Sequence, residues 1–123
     1  MKKEEDYIVG ILAYLTIVGF IVGIILNNDK QGDLKKFGAF HLRQALGLHL
    51  GSMVLYFAYA LISTLFLSLG SFFAFIANLL LSVIMIVILV FIVLGILNAI
   101  NGQEKNLPFI GEYINNTFKN TFE

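Results

Sequence analysis

The chain has 123 residues, of which 59% are apolar and 13% charged, and its formal charges sum to zero. Soluble domains average roughly 45–50% apolar and about 25% charged residues, so this composition indicates a one-domain integral membrane protein. The balanced charge gives no basis for nucleic-acid binding. The lack of cysteine excludes disulfides, thiolate metal sites and cysteine nucleophiles.

The first predicted transmembrane helix is Tyr7 to Leu26, an uncharged stretch of 20 residues. A helix of this length rises about 30 Å, the thickness of the hydrocarbon core. Acidic residues 4–6 follow Lys2 and Lys3, unlike the charged region of a signal peptide, so we expect a retained span. Gly19 and Gly23 are four residues apart, a spacing that favours close helix packing.

Residues 27–41 form a polar connection that we expect on the cytoplasmic side. Turn-forming residues dominate its first half. Leu34, Phe37 and Phe40 then recur every three residues, which predicts a helix lying in the membrane interface before the next span.

The second predicted span covers residues 42–69 and the third residues 72–100. Apart from Leu42 and Arg43 at the start of the second span, both lie in an uncharged stretch that runs from Gln44 to Gln103. Gly47 and Gly51 form one close-packing pair, on the same helix face as Arg43, and Gly95 with Ala99 forms another.

The turn between these two spans has two possible layouts. A tight turn at Gly70 and Ser71 gives a third span of 29 residues, about 43 Å long, which must tilt or protrude. Alternatively, residues 68–78 lie at the interface and the span covers only residues 79–100. Helical continuity favours the first layout.

The tail, residues 103–123, is polar again. Pro108 can occupy the first turn of a short amphipathic helix, because proline is favoured there. One face of this helix carries Ile110, Tyr113, Ile114, Thr117 and Phe118. The predicted fold class is therefore all-α: three transmembrane helices and a short C-terminal interfacial helix.

Positively charged residues predict the orientation of these spans. Three spans leave Lys2 and Lys3 on one side and six basic residues on the other: Lys30, Lys35, Lys36, Arg43, Lys105 and Lys119. Basic residues concentrate in cytoplasmic segments. We therefore expect an inner-membrane protein with its N-terminus outside and its C-terminus in the cytoplasm.

Polar residues at membrane depth are costly and are the candidates for function. They are His41, Arg43, Gln44, His49, Asn78 and Asn98. Arg43 is typical of a topology anchor at a span end. His41 and Gln44 fit interhelical hydrogen bonding better than a substrate or proton path. We find no catalytic set, metal site or cofactor motif, and expect no enzyme activity and no cofactor.

Two segments resemble a known family. Phe40-His41-Leu42-Arg43-Gln44-Ala45 and the run from Asn98 through Gly102 to Leu107-Pro108-Phe109-Ile110-Gly111 are similar to motifs of the small Tic-twenty-like membrane proteins. That family comprises a chloroplast protein-import component and short bacterial relatives. The resemblance implies a helical bundle and a role in moving polypeptide across a membrane.

Both motif segments fall on the predicted cytoplasmic side, where they could form one polar mouth. We define the polar mouth as Phe40, His41, Arg43, Gln44, Asn98, Pro108 and Gly111. The leading hypothesis is a small non-enzymatic membrane protein that contacts the lipid bilayer and assembles with itself or another membrane protein through its small-residue faces. The alternatives are a subunit of a protein-translocation or small-solute channel, and a membrane-stress or accessory factor.

Overall fold

The computed structural model describes the backbone of residues 4–123 and the side chains from Tyr7 onward. Lys2 and Lys3, which enter the orientation argument, lie outside the described residues. The described chain forms five helices and no strand, so the all-α prediction is confirmed. Their bounds are α1 Glu4–Leu15, α2 Ile17–Asn28, α3 Gly32–Ser68, α4 Ser71–Ile100 and α5 Gly111–Thr117.

The predicted first span is not one helix, which corrects the sequence-based interpretation. Thr16 is extended, with φ −149° and ψ 167°, and separates α1 from α2. The two helices fold back on each other, since a Cβ at Gly23 would lie 3.3 Å from the Val9 carbonyl oxygen and one at Gly19 would overlap that of Leu12. We call α1 and α2 together the N-terminal hairpin. A third transmembrane helix is thus not confirmed.

The predicted interfacial segment and the second span are one continuous helix. α3 contains 37 residues and begins at Gly32, within the segment predicted as a connection. At 1.5 Å per residue it is about 55 Å long, well beyond the hydrocarbon thickness. By length and composition, α3 and α4 are the two described helices that could each cross a membrane.

α3 and α4 form an antiparallel pair joined by a tight turn. α3 ends at Ser68 with Leu69 as its C-cap, and Gly70 adopts a φ of 118°, which suits glycine because it has no Cβ. The turn lies where the first predicted layout places it, and α4 is continuous over 30 residues. The Tyr56 hydroxyl lies 2.6 Å from Met85 Sδ, which defines the register of the pair.

Burial is concentrated at one end of the α3–α4 pair. The buried residues of α3 lie between Phe37 and Leu48, where the N-terminal hairpin and the tail pack against it. Between Leu48 and Gly95, Ala77 is the only buried residue. We call the end that carries the hairpin and tail the broad end, and the other, made of α3 and α4 alone, the narrow end.

Candidate functional site

The tail is attached to α3 by the side chain of Gln44. Its Nε2 donates to the Gly111 carbonyl oxygen at 2.8 Å and to Asn106 Oδ1 at 3.3 Å. Its Oε1 accepts from the Leu107 backbone N–H at 3.0 Å. Gln44 is fully buried, and so both ends of its amide are occupied by the tail segment that opens α5.

Arg43 attaches the last part of the tail. Its Nε donates to Asn115 Oδ1 at 2.9 Å, and one terminal nitrogen contacts the Thr121 carbonyl oxygen at 3.3 Å. The same nitrogen forms an ion pair with Glu123 at 3.0 Å. The guanidinium is therefore engaged within the protein, and Arg43 as a topology anchor stays a prediction.

His41 joins three elements of the broad end. Its Nε2 donates to the Gln103 carbonyl oxygen at 2.9 Å, because a carbonyl can only accept. In the neutral ring, Nδ1 must then accept from the Tyr14 hydroxyl, 3.0 Å away. The rings of Phe37, Phe40 and Tyr14 surround the imidazole edge-on, with centroids at 4.8, 5.2 and 5.8 Å.

The fold brings most residues of the polar mouth together, and their side chains bond to the tail instead of lining an opening. His41, Arg43, Gln44 and Gly111 meet where the tail crosses α3, and Phe40 packs beside them. Asn98 lies apart and donates to the Lys105 carbonyl oxygen at 3.2 Å. Pro108 is exposed in the turn before α5. The arrangement is a set of bonds that fasten the tail.

Most of the predicted packing residues make contacts within the chain. Gly19 and Gly23 pack inside the hairpin, Gly95 lies against the Tyr14 ring, and Ala99 lies against Gly10. Gly47 faces the Ile114 side chain of α5. Gly51, by contrast, faces open space, because a Cβ added there would meet no atom within 4 Å.

An apolar groove of about 610 Å³ begins at these two α3 glycines. It runs between α3, α4 and the start of α5. Its lining includes Gly47, Gly51, Val54, Phe91, Ile110 and Tyr113.

Sequence reasoning missed the polar contacts that support the break at Thr16. The Thr16 hydroxyl accepts from the Gly19 N–H at 2.9 Å, which caps α2. His49 Nε2 donates to the Ala13 carbonyl oxygen at 2.8 Å. The available signals were a hydroxyl three residues before a glycine in an apolar run, and a histidine inside a long uncharged stretch.

The comparison with known families shows to which family the chain belongs. Residues 5–114 match the MamF/MmsF family, described as the magnetosome magnetite crystal formation protein family. The chain belongs to this family. The match covers the hairpin, both long helices and the tail through Ile114. No curated protein and no solved structure matches the chain.

Membership of the MamF/MmsF family corrects the resemblance drawn from the two motifs. The Tic-twenty-like interpretation was wrong, and the match gives no support for protein transport. The coarser prediction stands: this MamF/MmsF protein is a small helical membrane protein. Gln44 and Gly111, two residues of those motifs, contact each other where the tail packs on α3.

Proposed function

We propose that the chain is a non-enzymatic protein of the magnetosome membrane that supports magnetite crystal formation through contacts with other proteins at its broad end. The single observation that carries this proposal is the distribution of charge. Every formally charged residue lies before Gln44 or after Gln103, and the narrow end has none.

The folded-back hairpin changes the proposed topology. With two spans instead of three, the N-terminus, the connection before α3 and the tail all lie on the same side. All eight Lys and Arg residues then share that side, whereas three spans would divide them six against two. Since basic residues favour the cytoplasm, the N-terminus is cytoplasmic in this proposal rather than outside.

This topology limits how the protein can act on a crystal. The turn of the narrow end, Ser68 to Ser71, faces the compartment that would hold the mineral, and it carries neither carboxylate nor imidazole. Non-haem iron in proteins is held largely by such groups. Among the side chains that the structure describes, from Tyr7 to Glu123, no cluster of three or more His, Asp or Glu could hold a metal ion. An indirect role through partner proteins is therefore favoured over mineral contact.

The bonding of the polar mouth supports a non-enzymatic role. The side chains of His41 and Gln44 have their hydrogen-bonding groups occupied by the tail and by Tyr14. A catalytic or conducting site needs such groups free to meet a substrate or ion. The exposed charges of the tail, Glu104, Lys105, Glu112 and Lys119, are instead available to a partner protein.

The test is complementation in a magnetosome-forming cell that lacks its own members of the family. We expect the wild-type chain to restore crystal size measured by electron microscopy. Reversing the four exposed tail charges should abolish restoration. The matched control, Ser68→Ala with Ser71→Ala at the narrow end, should restore crystals fully. Loss of crystals in the serine variant, with normal crystals in the charge-reversed variant, would overturn the proposal.

A further inference from the structure

The transverse area of the molecule differs between its two ends. The tip of the N-terminal hairpin reaches the level of His49, which contacts both Ala13 and Phe20. Up to that level four helices lie side by side, α1 to α4. Beyond it only α3 and α4 continue. With a helix diameter of about 10 Å, the broad end occupies roughly 150 Å² more area than the narrow end.

The N-terminal hairpin is shorter than the bilayer is thick. From Tyr7 to Leu15, α1 contains nine residues and rises about 13 Å. Half of a hydrocarbon core of about 30 Å is about 15 Å. The hairpin is therefore too short to cross the bilayer. Beyond the level of His49, α3 continues for 19 residues, about 28 Å, beside α4 alone, so the added area of the hairpin is confined to the leaflet at the broad end.

The outer face of the hairpin requires contact with hydrocarbon. Ile17, Val18, Ile21 and Ile25 are 52–72% exposed on α2, and no charged residue occurs between Tyr7 and Leu26. This face continues into the apolar outer faces of α3 and α4, which contact the bilayer in a protein of this class. Acyl chains of the same leaflet are thus its occupant.

From this geometry we infer that the chain is a membrane wedge, which prefers and promotes curvature with the broad-end leaflet on the convex side. Extra area in one leaflet is accommodated when that leaflet is the outer one of a curved bilayer. The inference rests on the two-span topology proposed above. In that topology the convex face is cytoplasmic, as in a membrane that bends into the cell.

The experiment measures sorting by curvature. The protein carries a Gln31→Cys substitution, labelled from outside with an impermeant dye, so that only molecules with the broad end outward are counted. Gln31 is exposed and the chain has no other cysteine. We expect protein density per membrane area to rise several-fold from vesicles of about 200 nm to vesicles of about 40 nm diameter. A flat sorting curve overturns the wedge.

Two matched variants give effects of opposite sign. Changing Ile17, Val18, Ile21 and Ile25 to alanine thins the broad end and should flatten the curve. Changing Leu61, Leu65, Leu79 and Val83 to alanine thins the narrow end and should steepen it. The hairpin residues are 52–72% exposed and the narrow-end residues 49–66%, so neither set disturbs the core. Equal effects from both sets would contradict the inference.

A second copy of the chain could cover the hairpin face instead of lipid. Photobleaching steps counted on the same vesicles test this. If the hairpin variant alters oligomer size while the sorting slope is unchanged, the face is a protein interface and the wedge is overturned. If the sorting curve is flat but the protein still restores crystals, the wedge alone is rejected. If the protein sorts by curvature but does not restore crystals, the role in crystal formation alone is rejected.

Discussion

The Nε2 atom of His49 lies 2.8 Å from the carbonyl oxygen of Ala13, although the residues are 36 positions apart. This carbonyl is among the last four of α1, which have no partner within their own helix. In hydrocarbon such a group would cost several kcal/mol. The contact therefore allows a helix to end at membrane depth, and the Thr16 hydroxyl does the same for the start of α2.

The first prediction concerns this contact. We expect His49→Leu to destabilise the protein by about 1–3 kcal/mol, because the Ala13 carbonyl is left buried without a donor. Thermal unfolding in detergent, followed by circular dichroism, measures the loss. His49→Gln is the control, since its amide can still donate, and it should recover most of the stability. Equal losses in the two variants would show that the ring packing on Phe20, and not the hydrogen bond, stabilises the turn.

The second prediction concerns the attachment of the tail. Gln44→Ala removes three hydrogen bonds, and we expect the tail to become sensitive to limited proteolysis while α3 and α4 remain intact. Leaving the buried Leu107 N–H and Gly111 carbonyl unpaired should cost about 2–4 kcal/mol. Gln103→Ala is the control, because Gln103 contributes only its backbone carbonyl to His41. Tail cleavage at the same rate in both variants would refute a specific role for Gln44.

The third prediction uses the two glycines of α3 as a matched pair. Glycine in a helix interior costs up to about 1 kcal/mol relative to alanine. Gly51→Ala should therefore be neutral or stabilising, since open space surrounds this position. Gly47→Ala should instead displace Ile114 and weaken docking of α5. The protease sensitivity of the tail and the thermal midpoint distinguish the two, and a stabilised Gly47→Ala variant would contradict close packing of Ile114 on Gly47.

The fourth prediction tests the two-span topology. Cysteines replacing Lys3 and Gln31 in separate variants should both be protected from an impermeant thiol reagent in intact cells. A cysteine replacing Ser71 should react. Three spans would instead place position 3 on the reactive side together with position 71. Because the chain has no native cysteine, each signal comes from one site.

The helices of the long uncharged stretch were predictable, because a chain in lipid must satisfy its own backbone hydrogen bonds. The break at Thr16 was not predictable, because an apolar run of 20 residues has the length and composition of a transmembrane helix whether the chain continues straight or turns back. The backbone groups exposed by the break are satisfied by the Thr16 hydroxyl and by His49, which is supplied from a different helix.

The residues of the candidate site were predictable, but their hydrogen-bond partners were not. Polar residues in the uncharged stretch were identified, and the fold brings His41, Arg43 and Gln44 to one place. Their partners could not be identified, because two of the Gln44 contacts are to backbone atoms whose positions depend on the path of the tail.

The uncharged turn at Leu69 and Gly70 has a consequence for biogenesis. An ionised side chain at the centre of a bilayer costs about 2.5–3.5 kcal/mol on insertion scales. In the proposed two-span topology, the cell moves only this short turn through the membrane to place α3 and α4, and the turn carries no charge. In that topology the pair enters as one unit with no ionised group to translocate, and every ionised group stays on the side where the chain was made.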